Sequence, residues 1–188
     1  MGLLSTYNRQ FSDLTPFNLL FTCIVLGIAQ QRHVKRQILY FVGVSIAGFI
    51  VEYLGVNYSL IFGSYVYGAS LGIKLLEVPL IMGVNWVIVI YLACTIADRF
   101  PISQGWKIVL GPLLPVLLDL FIEPVAPKLN YWHWVEGVAP LKNFIAWYIT
   151  SILFISIYFL LKIEIVNNNS VVVYIYYCVF FIIMNLFL

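Results

Sequence analysis

The sequence predicts an all-α fold: a polytopic transmembrane helical bundle of about six spans that forms one integral membrane domain over residues 1–188. Three observations carry this prediction. The chain is 63% hydrophobic and only 10% charged, whereas soluble proteins contain about 25% charged residues. Its apolar surface is larger than one soluble core could bury. The apolar residues also fall into six stretches, each near the length of about 20 helical residues that crosses a bilayer.

The six predicted spans cover residues 14–31, 37–55, 75–97, 106–126, 141–161 and 171–188. The first is the weakest, because Pro16, Asn18 and Thr22 interrupt a run that is short even for a tilted helix. A position partly in the interface is its alternative. The stretch between the second and third spans is rich in Gly, Ser and Tyr. Non-helical backbone at membrane depth must be buried in protein or line a cavity, so this stretch predicts a re-entrant or lid-like loop.

The basic residues give a slight orientation bias. One side of the predicted topology carries Arg32, Lys35, Arg36, Arg99, Lys107 and Lys162, and the other carries Arg9, Lys74, Lys128 and Lys142. Because cytoplasmic loops are enriched in lysine and arginine, this count favours a cytoplasmic loop at 31–36 and both termini outside.

Four acidic residues lie toward one membrane face in this topology. Glu52 is near the end of the second span, Glu77 near the start of the third, and Asp119 and Glu123 late in the fourth. An ionisable group within a span is costly and therefore indicates function. Asp119 and Glu123 are spaced i, i+4, which places them on one helix face with about 5–6 Å between Cβ atoms. Two carboxyls that close can share a proton and divide the roles of general acid and base.

The alternative role for these acids is structural. They would then pair with lysines or lie among the lipid headgroups and hold the helix ends in place, since structural ion pairs are also common at such positions. The lysines in question are Lys74, Lys128 and Lys142. For Glu77 the structural role is the preferred one.

Aromatic and amide side chains are dense around the acids: Asn85, Trp86, Tyr131, Trp132, His133, Trp134, Asn143 and Trp147. Aromatic residues at a span boundary usually anchor a helix in the interface. Aromatic faces also stabilise a cation or stack along a flat conjugated ligand. His133 is a candidate proton relay. No second histidine or cysteine stands at ligand spacing, so no metal site is expected.

Short motifs follow one another over about residues 52–147: EYLGVN at 52–57, IFGSYVYG at 61–68, LGIKL at 71–75, VPL at 78–80, NW at 85–86, EPVA at 123–126, YWHW at 131–134 and PLKNF at 140–144. Taken in order with Asp119, they resemble the carotenoid biosynthesis membrane family, which contains the carotenoid C-1,2 hydratases. The chain departs from the family pattern at Tyr58-Ser59, where Thr-Gly is usual, and at Ile73, where Pro is frequent. These departures concern loop shape and substrate preference more than the chemistry.

The resemblance implies a hydratase, a hydro-lyase that needs no cofactor and adds water across the terminal C=C bond of an acyclic carotenoid ψ-end. A protonated Asp119 or Glu123, with Glu52 as the third choice, would protonate the olefin, and the other carboxylate would activate the water. Asn85 and Asn143 would hold that water, and Trp86, Trp132 or Trp134 would face the tertiary cation. The remaining residues expected to bind the substrate are Tyr65, Tyr67, His133 and Trp147.

Two alternatives stay open at this point. A small membrane lycopene-type cyclase also begins by protonating an olefin, and a non-enzymatic six-span subunit for substrate binding or transport has a similar architecture. The expected partners are the carotenoid, water, the lipid bilayer and neighbouring enzymes of the carotenoid pathway. Nucleic acid is excluded, because a net charge of +2 without a basic run cannot neutralise phosphates. The expected location is the bacterial cytoplasmic membrane, as a multi-pass protein.

Overall fold

The architecture comes from a computed structural model, which describes residues 12–30 and 35–188. Its helices are α1 (Thr15–Ile28), α2 (Lys35–Tyr58), α3 (Ile81–Asp98), α4 (Gln104–Leu110), α5 (Leu113–Ile122), α6 (Leu141–Leu160) and α7 (Ser170–Phe187). In the described residues, α2, α3, α4 with α5, α6 and α7 are long and apolar enough to cross a membrane. The prediction of a polytopic transmembrane helical bundle is therefore confirmed. Arg9, Arg32 and four of the six residues of the loop at 31–36 lie outside the described residues.

The first predicted span is a short helix. α1 has 14 residues, a length of about 21 Å at 1.5 Å per residue, which is less than the 30 Å of hydrocarbon that a span crosses. Pro16 lies in its first turn, where the missing N–H would have had no partner in the helix. The span that the sequence marks as the weakest is thus shorter than the other five.

The fourth predicted span is shorter at its end than expected and has a break. Gly111 and Pro112 separate α4 from α5, and α5 ends at Ile122 rather than at 126. Pro124 has no N–H to bond to the carbonyl of Leu120, so it cannot continue the helix. Glu123 therefore lies just beyond the last helical residue, and residues 123–130 form successive turns.

The connections at one end of the bundle form what we call the cap, residues 59–80 and 123–140. In the cap, β1 (Tyr65–Tyr67) pairs antiparallel with β4 (Trp132–Trp134), and β2 (Lys74–Leu75) forms a hairpin with β3 (Val78–Pro79). The expectation of a third span from 75 is wrong, because the helix begins at Ile81. Leu76 and Glu77 have φ of +52° and +66°, the left-handed conformation of a two-residue hairpin turn.

α3 is the central helix of the bundle. Most of its side chains are buried, from Ile81 near the cap to Ala97 at the opposite end, and it packs against α1, α2, α6 and α7. The outer helices instead expose apolar residues along one face; on α2 these are Leu39, Val42, Ile46 and Ile50. Such faces suit lipid rather than water.

Gly48 allows α2 and α3 to approach closely. A Cβ atom on Gly48 would lie 2.5 Å from Cγ of Trp86, well inside the contact distance of two carbon atoms. Trp86 is completely buried, so its indole has no room to move away. The absence of a side chain at Gly48 thus fixes the place of Trp86.

We expect Gly48→Ala to lower the stability of the protein by about 1–3 kcal/mol, because the added methyl group overpacks this contact. The matched control is Gly43→Ala on the same helix, where a Cβ atom meets nothing within 4 Å. Alanine favours the helix there, so stability should be unchanged or slightly raised. Thermal unfolding of the two variants in detergent measures the difference, and equal unfolding temperatures would contradict the packing argument.

Candidate active site

Three buried carboxyls meet beneath the cap. Glu52 comes from α2, Asp119 from α5 and Glu123 from the turn that follows α5, and each is less than a tenth exposed. The cluster of acids near one end of the spans is thus present. Glu77 does not join it, because the β2–β3 turn that contains Glu77 is exposed.

Glu52 accepts three hydrogen bonds. Tyr65 and Tyr67 donate from Oη to its Oε2 over 2.7 and 2.6 Å, and Trp86 donates from Nε1 to its Oε1 over 2.9 Å. Burial, followed by the negative charge of Glu52, raises the pKa of both tyrosines well above the usual value, so the two phenols remain protonated. Three such donors suit an ionised carboxylate. Glu52 thus links α2 to the cap and to α3 through three hydrogen bonds.

Asp119 and Glu123 are joined through Asn143. The Asn143 side-chain amide donates to Oδ2 of Asp119 over 2.7 Å and lies 3.2 Å from Oε1 of Glu123. Helix α6 begins at Leu141, two residues before, and so aims this amide at the end of α5. The i, i+4 pair therefore faces one polar group, as the spacing predicts.

Glu123 also binds two indoles of the cap. Trp134 donates from Nε1 to its Oε2 over 2.7 Å, and Trp132 donates to the same oxygen over 3.3 Å. Burial raises the pKa of Glu123, and these two indole hydrogen bonds partly oppose that shift. A carboxyl with a raised pKa and a carboxyl neighbour takes up a proton more readily than a free glutamate does.

In the part of the chain that the structure describes, no lysine forms an ion pair with the three carboxyls. Lys74 bonds to the carbonyl of Tyr67, and Lys142 bonds to the carbonyl of Ser59. Among residues 12–30 and 35–188, the ion pair seen is Lys107–Asp98, at the other end of the bundle. The alternative in which the buried acids pair with Lys74, Lys128 or Lys142 is therefore wrong for the described residues. Without a cation, the cluster favours a shared proton or a bound positive charge.

Tryptophan rings enclose the carboxyls. Trp86 and Trp147 stack at 4.3 Å between ring centroids, and Trp134 lies 5.1 Å from Tyr65. Trp86, Trp134 and Trp147 are buried, so they are not interfacial anchors. They lie inside the bundle, beside the acids.

His133 lies on the face of β4 that points away from the carboxyls. Successive residues of a strand point to opposite faces, and in β1–β4 the pairs Tyr65–Trp134 and Tyr67–Trp132 point inward. His133 pairs with Val66 and is exposed, with its ring nitrogen 3.1 Å from Oδ1 of Asn130. The structure therefore does not bring His133 to the carboxyls, although the sequence groups it with its two neighbours.

A cavity of about 650 Å³ opens beside Asp119. It is mostly apolar and is enclosed by α1, α3, α5 and α7, with Tyr131 and Trp132 from the cap; its size is typical of small-molecule sites. Asn85 lines it, and in the part of the chain that the structure describes the Asn85 side chain makes no hydrogen bond. Asp119 and Asn85 thus present polar atoms to an apolar space.

A second, small space lies between Glu52 and Glu123. It measures about 20 Å³, enough for one water molecule, which needs about 10–15 Å³. Met82, Trp132 and Trp147 line both this space and the large cavity. The two spaces are therefore separated by little more than these three side chains.

The sequence did not predict that α1 and α7 form walls of the large cavity. Thr15 bonds to Tyr131 over 2.7 Å, and Tyr177 bonds to Thr22 over 2.9 Å. These polar atoms close the large cavity between the first and last helices. Both helices lack charged residues over their length, so the available signal was a hydroxyl in an apolar run, which is common in membrane helices.

Comparison with known proteins identifies a protein family. A family model described as carotenoid biosynthesis protein matches residues 14–188. No curated protein and no solved structure matches the chain significantly.

Proposed function

The chain belongs to the carotenoid biosynthesis protein family, and we propose that it is a carotenoid C-1,2 hydratase. The observation that carries the proposal is the position of two linked carboxyls beside two spaces of different size. Asp119 faces an apolar cavity that suits a hydrocarbon end group, and Glu123 faces a space that suits a water molecule. Hydration of an olefin needs one proton donor and one activated water, and this arrangement offers both.

The first step is proton transfer from the Asp119 carboxyl to the less substituted carbon of the terminal double bond. The two π electrons form the new C–H bond, and the neighbouring carbon becomes a tertiary cation. Asp119 suits this role because it borders the large cavity and holds the amide of Asn143 with one oxygen. Its other oxygen has no hydrogen-bond partner among the described residues.

The cation needs stabilisation until water attacks. In its ionised state Glu52 supplies negative charge beside the small space, and the rings of Trp132 and Trp147, which line both spaces, offer further attraction. A site that already holds negative charge and aromatic faces does not have to reorganise during the reaction. Among the described residues no lysine pairs with the cluster, which is consistent with this role.

The second step is attack of water on the cation. Water in the small space would donate one proton to Glu123 as its oxygen bonds to the tertiary carbon, which gives the neutral tertiary alcohol. Glu123 then holds the proton that Asp119 has lost. Because Asn143 lies against both carboxyls, a proton can return between them over a short distance and restore the starting state. Atoms and charge balance without a cofactor.

We also propose a cellular location for the enzyme. Its substrate dissolves in lipid, so we place the protein in the bacterial cytoplasmic membrane, where other enzymes of the carotenoid pathway would supply and remove the pigment. The five long apolar helices of the described residues suit such a multi-pass position.

Expression in bacteria that accumulate lycopene or γ-carotene tests the function. We expect pigment that has gained one water per reacted end, detected by mass after extraction, and unchanged pigment in cells with the empty vector. An isomer of unchanged mass would instead indicate a cyclase. Unchanged pigment that nevertheless co-purifies with the protein would support the binding or transport alternative. Unchanged and unbound pigment would contradict the proposal for those substrates.

A further inference from the structure

A second apolar cavity lies farther from the cap, between α1, α2 and α3. Its volume is about 340 Å³, and its apolar lining includes Leu26, Phe41, Val84, Val87 and Ile165. It is outside the site described above, and none of the three carboxyls borders it. We call it the distal cavity.

The distal cavity adjoins the cavity beside Asp119. Ile88 on α3 lines both cavities and is almost completely buried. α1 also borders both: residues up to Thr22 line the cavity at Asp119, and Cys23, Leu26 and Gly27 line the distal one. The two cavities thus border successive parts of α1, one nearer the cap and one farther from it.

The lengths of α1 and of the extended substrate determine how much of the substrate each cavity can hold. The part of α1 at the Asp119 cavity, residues 15–22, is about 12 Å long, and all of α1 is about 21 Å long. An extended forty-carbon polyene is a rod about as long as the hydrocarbon core is thick, about 30 Å. A substrate with its reacting end at Asp119 must therefore extend past the first cavity, and the path along α1 leads to Ile88.

The chemistry of the distal cavity fits a hydrocarbon. Three of its polar residues form a network: Tyr91 donates to Oε1 of Gln30 over 3.1 Å, Gln30 lies within hydrogen-bond distance of Gln37, and Gln37 bonds to the carbonyl of Glu164. This network closes the far end of the cavity without requiring a polar group from a ligand. An apolar end group would leave no new polar atom unpaired there.

We propose that the distal cavity is a binding subsite for the non-reacting half of the carotenoid, with Ile88 at the passage between the two cavities. This inference rests on the proposed function for the identity of the reacting end. The subsite holds the long substrate in register, so that remote binding contributes to reaction at Asp119. Substrates too short to pass Ile88 do not gain from it.

The test compares two substrates that share the ψ-end, one of forty carbons and one of twenty. Ile88→Trp fills the passage, and we expect it to reduce turnover of the long substrate about tenfold or more. Val87→Phe reduces the distal cavity from a position that does not line the other one, and we expect it to lower turnover of the long substrate while turnover of the short substrate changes by less than about twofold. Ile24→Trp is the control, because Ile24 is exposed on α1 and lines neither cavity.

Two results would overturn the subsite. One is equal loss with both substrates in both variants, which would indicate damage to the reacting site or the fold; the other is undiminished turnover of the long substrate. Forty-carbon pigment retained per purified protein is the second readout. If the wild-type protein converts neither substrate, the hydratase proposal fails, and the subsite is then decided by whether Ile88→Trp and Val87→Phe lose pigment that the wild type and Ile24→Trp retain.

Discussion

Replacing Asp119 with asparagine is expected to reduce hydration about a thousandfold, the range in which general acids contribute to catalysis. Asparagine has the same shape, and its amide oxygen can still accept the hydrogen bond from Asn143. It has no proton that it can deliver to an olefin. The fold should therefore persist while the first step of the reaction fails. The amount of hydrated pigment per unit of membrane-inserted protein measures the effect.

The matched control is Asp98→Asn. Asp98 ends α3 on the side away from the cap, where it pairs with Lys107 over 2.9 Å. Asp98 is exposed and lines neither cavity, so near wild-type activity is expected. Glu123→Gln should also lose most of the activity, because it removes the base for the water. Full activity of both Asp119→Asn and Glu123→Gln would show that the acid and base are assigned to the wrong residues.

Much of the helical bundle can be predicted from the lengths of the apolar stretches in the sequence. The fifth and sixth predicted spans agree with α6 and α7 to within one residue, because charged or turn-forming residues bound the two apolar runs. The pairing of Asp119 with Glu123 also follows from sequence, since helical spacing alone puts i and i+4 on one face. Local patterns of this kind need no knowledge of which helices are neighbours.

The parts that sequence could not predict depend on contacts between distant segments. β1 and β4 are about 65 residues apart, and two strands of three residues leave almost no periodicity to detect. The same pairing decides that Trp134 enters the site and that His133 does not. The distal cavity likewise depends on how α1 crosses α3, and the uncharged sequence of α1 does not reveal that crossing.

Replacing Glu52 with alanine is expected to destabilise the protein by about 3 kcal/mol or more, because each buried donor left without an acceptor costs about 1–3 kcal/mol. Three donors depend on this one carboxyl: the hydroxyls of Tyr65 and Tyr67 and the indole N–H of Trp86. They come from the cap and from α3, whereas Glu52 lies on α2. The loss should therefore loosen the cap from the bundle. Thermal unfolding in detergent and protease sensitivity of the cap measure it.

Glu52→Gln separates the charge of Glu52 from its role as an acceptor. Glutamine keeps one carbonyl oxygen for Tyr65 and Tyr67 but presents an N–H₂ group to the indole of Trp86, so stability should fall less than in Glu52→Ala. Activity should still fall, because the neutral amide cannot stabilise a cation as a carboxylate does. If Glu52→Gln were fully active, the negative charge would be unnecessary and the role of Glu52 would be to hold the cap. If Glu52→Ala were as stable as the wild type, the three donors would have other partners, and the account of the cap given by these hydrogen bonds would be wrong.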